Sequence, residues 1–160
     1  MTLFYSEMKS PVGRLTLVAN NKSLVALLWE NEKPNRVKLP EMEKSSKNPV
    51  ILETSKQLKE YFAGERKSFD LPLDPMGTEF QQKVWKALRK IPFGKTKSYK
   101  ELAIAVGNPN ASRAVGAANG KNPISIIVPC HRVIGANGKL TGFAGGLENK
   151  DILLKTESSK

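Results

Sequence analysis

Polar and apolar residues alternate through Arg14-Leu15-Thr16-Leu17-Val18, the period of a half-buried strand. Leu3, Tyr5 and Met8 form an irregular run before it, and Pro11-Val12-Gly13 between the two is turn chemistry, so residues 3–18 read as a hairpin. Leu24 to Trp29 is a third apolar run. Residues 31–49 are polar, charged and punctuated by proline, which reads as a mobile surface connection. Ile51, Leu58, Tyr61 and Phe62 then predict a helix, with Gly64 as its stop. Residues 68–76 hold two prolines and no helical period, and are the expected joint between a first domain (1–70) and a second (76–160).

The second half opens on a helix signature. Thr78-Glu79-Phe80-Gln81 has the capping-box pattern, and Phe80, Val84, Trp85, Leu88 and Ile91 fall on one face. Ser98 is placed to cap a short helix through Val106, with Leu102 and Val106 inward. Gly107-Asn108-Pro109-Asn110 breaks it, and Ala111 to Gly120 predicts another short helix. Two short helices across a glycine turn have helix-turn-helix form. The second is almost entirely small residues, and Gly116 inside it costs roughly 1 kcal/mol relative to alanine. Close approach of another backbone, either a packed helix or DNA, would offset that cost. Ile124 to Val128 reads as a buried strand or extended segment, Asn137-Gly138 as a tight turn, and 141–146 as a glycine-rich loop. A last helix runs from about Leu147. The fold class expected is α+β: an N-terminal α/β domain with a small antiparallel sheet, then a mainly helical domain carrying the helix-turn-helix.

Composition narrows the function. At 160 residues and 39% hydrophobic, the chain suits one ordinary domain or two small ones. No apolar run approaches the roughly 20 residues of a membrane span, and the N-terminus lacks a signal-peptide pattern, so a cytoplasmic protein with no membrane partner is expected. The single cysteine excludes an internal disulfide framework. With one histidine beside it, a structural zinc site is not expected. The net charge is +11. Residues 1–75 carry 12 basic and 10 acidic side chains, a net of +2, whereas residues 76–160 carry 14 and 5, a net of +9. That asymmetry fits a polyanion partner, DNA or RNA before a membrane. A lysine-rich solvated surface would give the same count.

Cys130, the lone cysteine, ends the apolar run at Pro129 and is followed by His131 and Arg132. A lone cysteine is most often a small buried hydrophobe. As a nucleophile it has to become a thiolate, which neighbouring cations or a base favour. Neighbours in an extended strand point to opposite faces, so a Cys130–His131 pair requires either a turn or a bridging water.

The motif PCHRVIG (129–135), preceded by Asn122-Pro123, resembles that of the O6-alkylguanine-DNA alkyltransferases. GTEFQQKVWKAL (77–88), IPFGKTKSYKELA (91–103), GNPNASRAVGAANGKNP (107–123) and GGLENKDILLKTE (145–157) follow the same family in order and spacing, with EYFAGER (60–66) and LPLDPMGT (71–78) upstream. The likeness is strong over about 55–157 and looser over the N-terminal strands, which it implies form a ribonuclease-H-like domain. It implies that Cys130 accepts the alkyl group, that His131 is its base through a water, and that Glu157 orients His131. Asn122 would hold the cysteine segment, and Tyr99 would assist departure of guanine. Arg113 would replace the expelled nucleotide in the stack. Ala114, Gly116, Ala117 and Ala118 would let the helix enter a narrow minor groove. The carbonyls of Cys130 and Val133 would accept from the guanine amino group, and 141–146, including Phe143, Ala144 and Gly145, would wall the pocket. Phe143 stands where many relatives have Tyr, and Ala144 where some have Ser, which implies altered substrate tolerance.

The implied activity is irreversible, single-turnover repair of O6-alkylguanine by a monomer acting on double-stranded DNA without cofactor or metal; whether O4-alkylthymine is also repaired stays open. Two other readings follow from the same residues. One is a non-enzymatic damage binder, against which the presence of Cys130 argues. The other is a helix-turn-helix regulator, for which no separate effector segment is visible.

Overall fold

The computed structural model describes residues 2–135 and 143–158. Strands β1 (Leu3–Met8), β2 (Leu15–Ala19) and β3 (Leu24–Leu28) are the three apolar runs of the first thirty residues, followed by β4 (Met42–Lys44) and α1 (Pro49–Phe62). β1 and β2 pair antiparallel around the Pro11–Gly13 turn, with Met8 opposite Leu15, and β2 pairs antiparallel with β3. The sheet order is β3-β2-β1-β4, and β4 joins β1 in parallel. The sheet is therefore mixed rather than wholly antiparallel. The parallel strand comes from within 31–49, the stretch that reads as a mobile connection. A three-residue edge strand with two exposed side chains has no hydrophobic period to betray it. Asn48 caps α1 through Ile51 N–H, and Gly64, at φ +79°, follows its end.

Helix α2 (Glu79–Leu88) starts at Thr78 with both halves of the capping box formed, and buries Val84, Trp85 and Leu88. Helix α3 (Tyr99–Ala105) repeats the device with Ser98 and Glu101. Helix α4 (Ser112–Gly120) packs Val115 and Ala118 inward, and Trp85 Nε1–H donates to Ala118 O at 2.9 Å. The α2 side chains thus fix the angle of the helix-turn-helix. β5 (Lys97–Ser98) pairs in parallel with β6 (Val133–Ile134), and α5 (Leu147–Ser158) closes the chain.

The two halves share one apolar core, in which Leu15, Leu17 and Leu27 of the sheet join Trp85, Leu88, Val115 and Val128. The outer edge of β3 is covered by both later segments. Leu24 exchanges backbone hydrogen bonds with Pro72 and Asp74, and Leu27 N–H donates to Pro123 O at 2.8 Å. Residues 124–128 are buried but not a strand. They fold into tight turns, with Val128 N–H donating to Ile124 O, and only Ile124 bridges to Leu27. Ile126 sits at φ +72°, a conformation that costs a β-branched residue roughly 1–3 kcal/mol. Burial of Ile124, Ile126 and Ile127 holds the strained turn in place.

Candidate active site

The turn resolves how Cys130 and His131 sit. Cys130–Arg132 form one turn of 3-10 helix after Pro129, so consecutive side chains are not thrown to opposite faces. Asn122 closes the preceding loop: its Nδ2 donates to Val128 O at 2.8 Å, and its Oδ1 accepts from Ile124 N–H at 3.0 Å.

Glu157, from the end of α5, is the hub. Its carboxylate accepts from His131 Nε2 at 2.7 Å, from Arg132 Nε and Nη2 at 2.8 and 3.0 Å, and from the Tyr61 hydroxyl at 2.6 Å. Arg132 Nη1 also donates to Ile91 O at 2.6 Å. All four side chains are buried, and a buried charge survives only when paired. Burial pushes the Glu157 carboxyl up, but the donors from His131, Arg132 and Tyr61 outweigh it and bring it down to about 2. Burial pushes His131 down, against the pull of Glu157, so the imidazole is neutral. With the proton on Nε2 facing the carboxylate, Nδ1 carries a bare lone pair, and it has no hydrogen-bond partner among the described residues. Burial and the neighbouring carboxylate push the Tyr61 phenol upward, so it stays a donor. Tyr61→Phe is expected to cost about 2 kcal/mol, the worth of a hydrogen bond to a charged acceptor, read by denaturant titration.

Cys130 is 2% exposed. Burial pushes its thiol up, opposed by the nearby polar side chains of Asn122 and Ser125 and by the fields of Arg36 and Lys150. The resting sulfur is a thiol, so the cations nearby do not by themselves make it an anion. Val133 is buried, and its carbonyl accepts from Lys150 Nζ at 2.6 Å, which leaves one lone pair. Phe143, Ala144 and Gly145 are half-buried and line a cavity of about 310 Å³ together with Val12, Trp29 and Asn149. Residues 141 and 142 and the Asn137-Gly138 turn lie outside the described residues.

On the helix-turn-helix, Arg113, Ala114 and Ala117 are exposed along one side of α4. A Cβ on Gly116 would meet the Tyr99 ring at 3.7 Å, an ordinary contact, so packing inside the protein does not require glycine there. Tyr99 is half-buried beside α4, on a different element from the Glu157 cluster.

Residues 79–159 match the DNA-binding domain, and residues 3–75 the ribonuclease-like domain, of 6-O-methylguanine DNA methyltransferase. This chain belongs to that family. It is 50% identical over 157 residues to the methylated-DNA–protein-cysteine methyltransferase of Methanosarcina acetivorans, covering 98% of this chain and 99% of the relative. It is 51% identical over 153 residues to the Mycobacterium leprae protein of the same name, covering 94% and 89%. The crystal structure of Mycobacterium tuberculosis OGT in complex with DNA superposes with a TM-score of 0.90 at 47% identity, covering 98% of this chain and 93% of that one.

Within this member of the methyltransferase family, several residues around the site escaped the reading of the sequence. Arg132 gave a signal, as a third polar residue in the cysteine motif. Tyr61 reads as an apolar position of its helix, and nothing in the sequence singles out Lys150. Arg36, inside the supposedly mobile 31–49 stretch, donates from Nη1 to Gly120 O and Asn122 O at 3.1 and 2.9 Å, and pairs with Glu32. It thereby satisfies carbonyls at the end of α4 and braces the cysteine loop. Among the described residues, no His, Cys, Asp or Glu cluster could hold a metal, and no helix is long and apolar enough to cross a membrane.

Proposed function

We propose that this chain repairs DNA directly, as a monomer, by moving the alkyl group of O6-alkylguanine onto Cys130 Sγ, once per molecule. The observation that carries this reading is the buried Glu157–His131 pair beside a lone cysteine, with His131 Nδ1 left bare. His131 Nδ1 takes the thiol proton through a water, and Glu157 stabilises the imidazolium that forms. Sulfur attacks the alkyl carbon, the carbon–O6 bond breaks, and its electron pair passes into the guanine ring. Tyr99 donates a hydrogen bond to the departing base, which takes up one proton from water while the His131 imidazolium returns the thiol's proton to water. The products are guanine and a thioether. With no second thiol in the chain to release the carbon, the protein is spent.

A base stacked in a duplex cannot offer its O6 substituent in line with the sulfur and the leaving oxygen. The nucleotide therefore has to turn out of the helix, at a cost of a few kcal/mol. The thiol, 2% exposed in the free protein, has to be uncovered as the base enters. The small exposed side chains of α4 suit a narrow minor groove, and Arg113 beside them fills the gap in the stack. The basic excess of residues 76–160 supplies the attraction to phosphates. Arg113→Ala is expected to slow alkyl transfer roughly tenfold or more while duplex affinity changes little, measured by single-turnover transfer beside a binding titration.

The test is to incubate the protein with duplex containing O6-methylguanine and weigh it intact. A gain of one methylene, mapped to Cys130, supports the reading. Binding without a mass change points to a damage binder, and neither result would leave a regulator.

A further inference from the structure

We propose that Tyr61, from the strand-bearing half of the chain, is a positioning residue of the transfer: its hydroxyl holds the Glu157 oxygen to which His131 donates and, by sharing that oxygen, limits how tightly Glu157 grips the imidazole. The inference rests on reading His131 as the base. Glu157 Oε2 accepts from the Tyr61 hydroxyl at 2.6 Å, from His131 Nε2 at 2.7 Å and from Arg132 Nη2 at 3.0 Å. Among the described residues, Oε1 accepts from Arg132 Nε alone, at 2.8 Å. A carboxylate oxygen offers about two lone-pair sites, so three donors on one oxygen compete. Tyr61 therefore takes acceptor capacity that His131 would otherwise have. A carboxylate that gripped the ring harder would stabilise the imidazolium before the thiol had given up its proton, and Nδ1 would no longer be a base. With Tyr61 in place the ring is held through Nε2 while Nδ1 stays bare.

The phenol has little freedom to leave this oxygen. Tyr61 is 1% exposed, and its ring meets Phe62 edge-on at 5.1 Å, Phe69 at 5.4 Å and Phe93 edge-on at 6.2 Å. Phe93 lies between α2 and β5, so both halves of the chain grip the ring and leave its polar tip aimed at Glu157. The charged and titratable groups around His131 are Cys130 and Arg132 of its own turn, Lys150 and Glu157 of α5, and Tyr61 of α1. Burial keeps the Tyr61 hydroxyl protonated, so Tyr61→Phe removes an uncharged donor and leaves every charge in that set in place.

The experiment uses the full chain, whose single histidine makes the imidazole signals of an NMR spectrum unambiguous. The Nε2 proton resonance of His131 is recorded at neutral pH and its ring carbon signal is followed against pH, beside the single-turnover rate of methyl transfer. In Tyr61→Phe the freed oxygen should tighten the bond from His131, moving the Nε2 proton downfield and raising the midpoint of the ring by roughly half to one pH unit. The acid limb of the transfer rate should move up with it, so that transfer on that limb slows about three- to tenfold. Tyr61→3-fluorotyrosine, a stronger donor, should move both signals the opposite way, and decides alone if Tyr61→Phe does not fold. If the chain unfolds before the ring titrates, the proton resonance decides. Ile51→Val, in the first turn of the same helix, thins the core away from the cluster and should leave both signals in place. Unmoved signals in the Tyr61 variants, or an equal shift in Ile51→Val, would overturn the role of Tyr61. With methyl uptake intact that result faults Tyr61 alone, whereas absence of methyl uptake by the wild type faults the reading of His131 as base and the inference with it.

Discussion

Cys130→Ser is expected to abolish methyl uptake from alkylated duplex while leaving the fold and the affinity for DNA essentially unchanged. Serine nearly keeps the volume, and Asn122 goes on holding the loop through Val128 O and Ile124 N–H, so the stability cost is about 1 kcal/mol. The chemistry does not survive the change. A serine hydroxyl is a far weaker acid than a thiol, and the His131 imidazole, base enough for the thiol, cannot ionise it. Intact mass after incubation reads the loss, and a binding titration reads the retained affinity. A methyl group appearing elsewhere on the serine variant would refute the assignment of the acceptor.

Glu157→Gln carries the second large effect, and it acts on both stability and rate. The carboxylate is the counter-ion of buried Arg132 and the acceptor for His131 and Tyr61. An amide in its place leaves the guanidinium without an opposite charge and turns an NH₂ toward donors. The expected loss is roughly 3 kcal/mol, or about 10 °C in Tm for a chain of this size. The variant also removes the group that keeps the His131 proton on Nε2, so Nδ1 ceases to be a dependable base. Transfer should slow by roughly two to four orders of magnitude.

The acid limb of stability reports on the same cluster. Glu157 titrates at about 2 in the folded chain, against an ordinary 4.5. As pH falls through that window the unfolded chain takes up the proton first, so stability drops by roughly 3 kcal/mol in total. His131, held below its ordinary 6.5 by burial, adds a loss in the same direction that begins as pH falls past 6.5. In Glu157→Gln the lower of these two losses should disappear from a Tm-versus-pH curve.

What the sequence revealed, and what it hid, divides by the range of the interaction. The capping boxes at Thr78–Gln81 and Ser98–Glu101 are local, four-residue devices, and both helices begin where those residues predict. The three apolar runs of the sheet were equally plain. β4 was not, because its pairing with β1 is backbone to backbone and its side chains are largely exposed. The apolar run 124–128 revealed its burial but not its shape, since a buried turn and a buried strand leave the same hydrophobic record. In the site, Cys130, His131 and Arg132 are adjacent in sequence and were visible together. The Tyr61–Glu157 and Trp29–Ser125 hydrogen bonds each span 96 residues, and no local pattern announces such pairs. Arg36 was hidden by its company, a polar, proline-punctuated stretch whose one buried guanidinium looks like any surface arginine until the carbonyls it serves are seen.

The most direct measurement counts methyl groups. Protein is mixed with a molar excess of duplex bearing labelled O6-methylguanine, and label on the protein is followed to completion. Uptake that stops at one equivalent per chain, with all of it on the Cys130 peptide, is the predicted result; label that keeps leaving the DNA after every chain is modified, or that settles on another residue, would contradict it.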